Sequence, residues 1–265
     1  ISVNPFGTIF NPISIFNLIN ICINNIPINK TQIVYTNGLY YHYLWHSSIY
    51  GTSEEELISK IEDIKTEFRT FIKASKHLFL TFGTSIIHEY NTEIVSNCHK
   101  QDRSLFQKRC LTLEELKEAF VNFNQQIQTI NPNIKMIVTT SPVRHIKEGL
   151  IANNQSKALL NVFNTYLSDT YTHIEYFPSY EIIMDVLRDY RFYKTDLIHP
   201  TKQAVDEIWS YFQTHVIHPD SYTYISRMEK YNLMDKHTLM FPESENGKHF
   251  IQKKEQLYRE IQGLK

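Results

Sequence analysis

The sequence predicts an α/β fold in which a mainly parallel sheet lies between layers of helices, as a three-layer sandwich. Apolar runs at residues 78–82, 134–138 and 174–177 have the continuous hydrophobicity of short strands that are buried on both faces. Amphipathic segments with helical spacing separate these runs. Strands that alternate with helices in this way are typical of a parallel sheet.

The first predicted helix begins after Asn11, a favourable N-cap residue, at Pro12, which suits the first helical turn. Apolar residues then recur at helical spacing as far as residue 26. Residues 1–5, before this helix, are predicted to be the end of a strand. The aromatic and polar stretch at residues 35–50 is predicted to be irregular.

Capping boxes mark the next two helices. One pairs Ser53 with Glu56, and the other pairs Thr112 with Glu115. Each box is followed by apolar residues at helical spacing, so each predicts a helix that packs one face on the sheet. Two more helices are predicted at about residues 153–169 and at residues 178–189.

The main domain is predicted to span residues 1–218, and its last helix is expected to begin after Thr201, a candidate cap. Beyond it the apolar residues are scattered until one final helical pattern. Residues 219–265 are therefore predicted to be a helical C-terminal extension. The apolar residues of the final helix are Phe250, Ile251, Leu257, Tyr258 and Ile261.

Composition excludes several classes of function. A formal net charge of -1 over 265 residues creates no overall field that attracts nucleic acid. No apolar run is long enough to predict a membrane span. The three cysteines are sparse and lack C-x-x-C spacing, which favours a reducing, cytoplasmic location without disulfides. The sequence leaves the oligomeric state undetermined.

No metal or other cofactor is expected. The chain has 12 histidines, but none form an H-x-x-x-H pair on a helix with a glutamate between them. His42 and His46 have this spacing, yet they lie in the aromatic stretch, which has no helix caps. The number of histidines would thus allow a metal site, but their spacing in the sequence does not support one.

The strongest candidate for chemistry is the pair Asp196 and His199, in a loop that leads into the predicted last helix. An aspartate at this spacing can accept the Nδ1 proton of the imidazole and leave Nε2 facing a nucleophile. His199 would then be a general base. The alternative is that Asp196 caps a turn and His199 is an ordinary surface histidine.

Several strings that lead up to this pair resemble the GSCFA family. They are NPFGTIFNP at residues 4–12, SNCHK at 96–100, SPVRH at 141–145 and YEIIMDVLRDYRFY at 180–193. The resemblance runs in order from residue 1 to about 215. It implies a fold of the SGNH or flavodoxin-like type.

The resemblance also implies an activity, namely serine-type hydrolysis of an ester on an acylated carbohydrate or a related small molecule. Asp196 and His199 would be the last two members of the triad. The nucleophile would be the serine of a Gly-Ser-Cys-Phe-Ala string located before Asn4, and this sequence contains no Gly-Ser-Cys. An acyltransferase on the same fold and a non-catalytic binding protein are the alternatives.

Donors for an oxyanion are expected at strand ends. Gly83-Thr84-Ser85 resembles the block in which SGNH enzymes have Gly-x-Asn, with Ser85 in the position of the asparagine. Asn97 is a candidate replacement, and the backbone N–H of Gly7 or Gly83 is another. The alternatives are a tight strand-to-loop turn at Gly83 and an asparagine that bonds its own loop at residue 97.

Arg144 and His145 directly follow a predicted strand, so they are expected to face the cleft. Arg144 could clamp a carboxylate or phosphate of the substrate through its planar fork. The alternative for Arg144 is a structural ion pair with Asp185 or Asp189.

The aromatic stretch supplies further candidates. Trp45, His46 and Ser47 would suit a wall on which a sugar stacks, and the alternative is an aromatic loop that packs on itself. Ser47 or Ser141 could replace the family nucleophile, a role for which neither has a supporting motif.

Overall fold

The computed structural model describes residues 2–264, and the chain forms two compact units, Ile1–Ala204 and Val205–Lys265. The division predicted from sequence, at residue 218, stays a prediction. Residues 2–5 contain no strand, so that expectation is wrong for them, and Ile1 lies outside the described residues.

The helices are α1 (Pro12–Ile23), α2 (Glu54–Ala74), α3 (Leu113–Ile130), α4 (Leu150–Thr170), α5 (Ser179–Glu181), α6 (Lys202–Val216), α7 (Tyr222–Asp235) and α8 (Glu245–Gln262). Short 3-10 turns occur at Lys30–Gln32, Arg103–Leu105, Ile146–Glu148, Tyr190–Phe192 and Pro219–Ser221. The strands are β1 (Ile33–Thr36), β2 (Leu39–His42), β3 (His77–Phe82), β4 (Ile86–Tyr90), β5 (Glu93–Val95), β6 (Gln107–Cys110), β7 (Lys135–Thr140) and β8 (Ile174–Tyr176).

The three strands predicted from apolar runs form one parallel sheet, in the order β3-β7-β8. Phe79 lies opposite Ile137, and Val138 lies opposite Tyr176. Helices flank this sheet, so the protein is an α/β protein. The carboxyl ends of the three strands meet at one edge, where loops carry function in sheets of this kind.

The capping predictions explain where the helices begin. Asn11 caps α1, with its Oδ1 accepting a hydrogen bond from Ser14 N at 2.8 Å. Thr112 and Glu115 form a full capping box on α3. Such caps satisfy backbone donors that lack a partner in the first helical turn.

One face of the parallel sheet builds the core. Its residues Leu80, Phe82, Met136 and Val138 are buried, and they belong to one cluster with apolar side chains of α1, α3 and α4. The cluster includes a run of close aromatic contacts among Phe16, Phe82, Phe120, Phe123 and Phe163. This packing holds the loops at the carboxyl edge on a rigid base.

Two small antiparallel sheets were not predicted. Strand β4 pairs with β5 and β6, and β1 pairs with β2 inside the stretch expected to be irregular. Asn37 and Gly38, with φ of 51° and 82°, join β1 to β2. An Asn-Gly pair with positive φ is the usual connection of a two-residue hairpin, so this dipeptide was an available signal.

The helix predicted at residues 178–189 is wrong in form. After the single turn α5, residues Ile182–Leu187 continue as a π-helix that ends at Arg188, with φ 36°. In the second unit, α8 confirms the final predicted helix, whereas α7 was not predicted because its apolar residues lack a clear periodic face.

Candidate active site

The loop after β8 and α5 that contains Asp196 is closed by its own backbone. Tyr193 and Pro200 form an isolated antiparallel bridge, and Lys194 N donates to His199 O at 2.8 Å. Thr201 N donates to Phe192 O at 2.8 Å. We call residues 193–201 the catalytic loop, because these bonds hold its two candidate side chains at the tip.

Asp196 and His199 are joined in the way that the sequence predicts. Asp196 Oδ2 lies 2.8 Å from His199 Nδ1. The other oxygen, Oδ1, accepts the backbone N–H groups of Ile198 at 2.8 Å and His199 at 3.0 Å. These backbone bonds, with the imidazole bond, hold the pKa of the Asp196 carboxyl well below its usual range.

The other ring nitrogen of His199, Nε2, has no hydrogen-bond partner among the described residues. With a carboxylate at Nδ1, the imidazole presents Nε2 away from Asp196. The side chains of His199 and Asp196 are 53% and 43% exposed. A half-exposed histidine whose Nδ1 faces an aspartate is the arrangement that a general base requires.

Arg144 reaches the catalytic loop from the segment that follows β7. Its backbone N donates to Ile198 O at 3.4 Å, and its Nη1 donates to Leu197 O at 3.3 Å. The guanidinium also lies 4.6 Å from the centre of the Tyr193 ring. Asp189, one of the two partners considered in the alternative of a structural ion pair, has its Oδ2 3.7 Å from Arg191 Nε.

His145, next to Arg144, turns toward β3. Its ring contacts Phe10 edge-on at 5.4 Å, and its backbone N donates to Asn153 Oδ1 at 2.7 Å. Burial, together with the charge of Lys157, lowers the pKa of His145 to about 4. His145 is therefore neutral at pH 7.

The backbone N–H groups of Gly83 and Thr84 are hydrogen-bonded within the protein. Both N–H groups donate to Phe10 O, at 2.7 Å and 3.1 Å. A Cβ at Gly83 would lie 3.1 Å from His145 Nε2, so the close approach of that ring explains the glycine. In this arrangement neither N–H group is available to an oxyanion.

Thr84 and Ser85 also turn their side chains inward, toward Ser156 on α4. Ser156 Oγ accepts Ser85 N at 2.7 Å and lies 3.1 Å from Thr84 Oγ1. Thr84, Ser85 and Ser156 are all buried. The segment Gly83-Thr84-Ser85, which resembles Gly-x-Asn, thus contributes Thr84 and Ser85 to a buried polar cluster with Ser156.

Gly7 and His46 lie against each other, and Asn97 lies in a separate loop. Gly7, with φ 75°, donates its N–H to Asn4 O at 2.8 Å, and an added Cβ would collide with His46. Asn97 Oδ1 accepts the backbone N–H of His99 at 2.9 Å, which is the local bonding considered as its alternative. No described hydrogen bond joins these three residues to the catalytic loop.

The remaining sequence candidates also have defined places. Trp45 is fully buried and contacts Phe6, so the suggestion that it stacks a sugar is wrong. Ser47 is exposed, and Ser141 Oγ accepts its own loop's Val143 N at 3.2 Å. Neither serine is hydrogen-bonded to His199.

Lys157 on α4 is a residue that sequence reasoning missed. It is only 1% exposed, and its Nζ donates to Gly83 O and to Ser141 O, which follow β3 and β7. Burial lowers the pKa of Lys157 to about 7. Its position on the buried stripe with Leu160 and Asn164 was the available signal.

A cavity of about 730 Å³ lies elsewhere, beside the edge strand β3. It is lined by residues of the N-terminal segment, α1, α2 and β3, among them Phe6, Ile15, Phe68 and Phe79. The lining does not include Asp196 or His199. The His–Asp pair therefore lies on an open surface and not in this cavity.

Among residues 2–264, no three His, Cys, Asp or Glu side chains are grouped in a way that would hold a metal ion. None of the helices within the same residues combines the length and the hydrophobicity needed to cross a bilayer.

Comparison with known proteins gives one finding. The model of the GSCFA family matches residues 1–212. No curated protein and no solved structure matches the chain.

Proposed function

The chain belongs to the GSCFA family, since the family match covers residues 1–212 of 265, and from this premise we propose a serine-type ester hydrolase of SGNH type. Its substrate is an ester on an acylated carbohydrate or a related small molecule. The proposal includes the three-layer, SGNH or flavodoxin-like arrangement of the α/β fold. It needs no metal or other cofactor.

The observation that carries the proposal is the 2.8 Å contact between His199 Nδ1 and Asp196 Oδ2. Because Asp196 is ionised throughout the neutral range, it holds the Nδ1 proton and stabilises the imidazolium that forms during the reaction. Nε2 is then the atom that accepts a proton from the nucleophile.

The reaction has two steps. The serine Oγ–H gives its proton to His199 Nε2 while Oγ attacks the ester carbonyl, and the departing alcohol takes that proton as the acyl-enzyme forms. In the second step water gives a proton to His199 Nε2 and attacks the acyl-enzyme, and the serine takes that proton as the carboxylic acid is released. The family resemblance assigns the serine to a Gly-Ser-Cys-Phe-Ala string before Asn4, and that assignment is part of the proposal.

The exposure of the pair favours water as the acceptor. An acyltransferase must keep water from the acyl-enzyme, whereas both side chains here are about half exposed. Hydrolysis is therefore preferred to acyl transfer. The second candidate is a non-catalytic binding protein, which would be favoured if the full-length protein had no serine in a strand-to-helix turn before Asn4.

The substrate contacts are proposed at the same edge. Arg144 and His145 follow β7, and Gly7, His46 and Asn97 remain proposed binding residues. Since the N–H groups of Gly83 and Thr84 are engaged by Phe10 O, an oxyanion would need either a shift of that segment or other donors.

Three free cysteines favour a cytoplasmic location.

The test is hydrolysis of p-nitrophenyl acetate by the full-length protein and by its His199→Ala variant. We expect the variant to lose about 10⁴-fold or more in kcat/KM. His218→Ala is a matched control, because His218 is also exposed and its Nδ1 lies 3.3 Å from Asp220. Equal loss in both variants, or no loss in either, would remove His199 from the mechanism.

A second measurement separates the enzyme from the binding protein. A fluorophosphonate should label one serine of the active full-length protein, and peptide mass spectrometry should locate that serine before Asn4. Absence of labelling and of turnover would favour the binding protein. Acetate release from a peracetylated monosaccharide, followed by NMR, would test the carbohydrate assignment.

A further inference from the structure

Two of the three peptide groups between Asp196 and His199 are hydrogen-bonded at both ends. In each of them the N–H, from Ile198 or His199, donates to Asp196 Oδ1. The carbonyls of the same two peptide groups, Leu197 O and Ile198 O, accept from Arg144. The carboxylate thus lies on one side of this short segment and Arg144 on the other.

This segment includes an unfavourable backbone conformation. Leu197 has φ 56°, in the left-handed region that non-glycine residues seldom adopt. A residue in that region persists when surrounding contacts determine it. The bond from the Arg144 guanidinium to Leu197 O is such a contact, and it reaches the loop from a different part of the sheet.

Arg144 is itself held in place. Its guanidinium lies over the Tyr193 ring, and Tyr193 is bridged to Pro200 beside His199. Its backbone follows Ser141, whose N donates to Phe82 O and whose O accepts from the buried Lys157. Arg144 therefore connects the rigid strand ends to the catalytic loop.

When the carbonyl of a peptide group accepts a hydrogen bond, the N–H of the same peptide group becomes a stronger donor, because linked hydrogen bonds polarise one another. The guanidinium at Leu197 O should make the N–H of Ile198 a better donor to Asp196, and the backbone N–H of Arg144 at Ile198 O should do the same for the N–H of His199. We propose that Arg144 is a positioning residue that fixes the orientation of the Asp196–His199 pair. This role rests on the proposed function, and for Arg144 it takes the place of the substrate contact proposed there.

The test on this chain uses NMR of a sample with ¹⁵N-labelled histidine and backbone. The readouts are the Nδ1–H signal of His199, assigned by its loss in His199→Ala, and amide exchange at Ile198 and His199. In Arg144→Met we expect the Nδ1–H signal to broaden or move upfield and the Ile198 amide to exchange at least about tenfold faster, while the His199 amide, whose peptide group keeps its backbone donor, should change less. A tenfold change in exchange corresponds to about 1.4 kcal/mol of local opening.

Two further variants test whether the effect is specific to the Arg144 side chain. Arg191→Met removes another guanidinium that stacks on an aromatic ring, 4.8 Å from Phe192, and it should leave both readouts unchanged. Arg144→Lys retains the charge and should restore part of the signal. A purely structural loss would instead lower the unfolding midpoint of Arg144→Met and affect amides throughout the sheet, and that outcome would overturn the proposal.

A kinetic test on the full-length protein separates positioning from substrate binding. For a positioning residue, Arg144→Met lowers kcat about equally for a neutral ester and for a carboxylate-bearing ester, on the order of 10- to 100-fold, with KM unchanged. A rise in KM for the carboxylate-bearing ester alone would show an anion clamp and refute positioning. If the protein hydrolyses no ester, the NMR result still decides the role of Arg144.

Discussion

Two segments at the carboxyl edge of the parallel sheet treat their polar groups in opposite ways. After β3, residues 83–85 turn inward, and their N–H and hydroxyl groups bond Phe10 O and Ser156 Oγ. The catalytic loop at residues 193–201 turns outward, and it leaves the His199 side chain about half exposed with no hydrogen bond at Nε2 within residues 2–264. The first segment stabilises the fold, whereas the second retains a group that can react. Substitutions should therefore affect stability in one segment and activity in the other.

The largest expected effect lies in the catalytic loop. Asp196→Asn keeps an oxygen for the N–H groups of Ile198 and His199, but its amide favours the wrong imidazole tautomer. We expect a loss of about 10⁴-fold in kcat for ester hydrolysis by the full-length protein. Unfolding in urea should change little, because the pair is exposed. A large loss of stability would contradict the expected difference between the catalytic loop and residues 83–85.

In the inward segment the effect should fall on stability. Ser156→Ala leaves the buried Ser85 N–H without its acceptor, and we expect a loss of about 1–3 kcal/mol in the free energy of unfolding. Ser168→Ala, on the exposed side of the same helix, is the control and should cost less than about 0.5 kcal/mol. Comparable losses in both variants would contradict the role of the cluster.

Lys157 should make stability rise with pH. Its pKa is about 7 in the folded protein and near 10.4 when unfolded, so between these values the unfolded chain binds the extra proton. Unfolding free energies of the native protein should therefore increase from pH 7 to pH 10 relative to Lys157→Met, by about 1 kcal/mol per pH unit. Parallel pH profiles for the two proteins would show that Lys157 is not responsible.

His145 should act in the opposite pH range and more weakly. Its pKa is lowered from 6.5 to about 4, so stability declines as pH falls through that interval and the unfolded chain takes up a proton. His145→Phe should flatten the decline by less than about 1.4 kcal/mol per pH unit. His218→Phe, at an exposed position, should leave the decline in stability unchanged. A flattened profile in this control would show that the decline cannot be assigned to His145.

The catalytic loop was the part of the site most accessible from sequence. Asp196 and His199 are three residues apart, so their contact depends mainly on local backbone geometry. The N-cap at Asn11 and the capping box at Thr112 were predictable for the same reason. The inward turn of residues 83–85 was not predictable, because Phe10 and Ser156 lie about 70 positions away on either side.

The sequence by itself determined the α/β class, the three parallel strands and the likeness to the GSCFA family, since apolar runs, caps and short motifs are local properties of the chain. Only the tertiary structure decided that Arg144 holds the catalytic loop, that Lys157 joins two strand ends and that Gly83 is engaged by Phe10. Each of these is a contact between distant residues. Such contacts depend on how the helices and strands pack, which a local pattern does not specify.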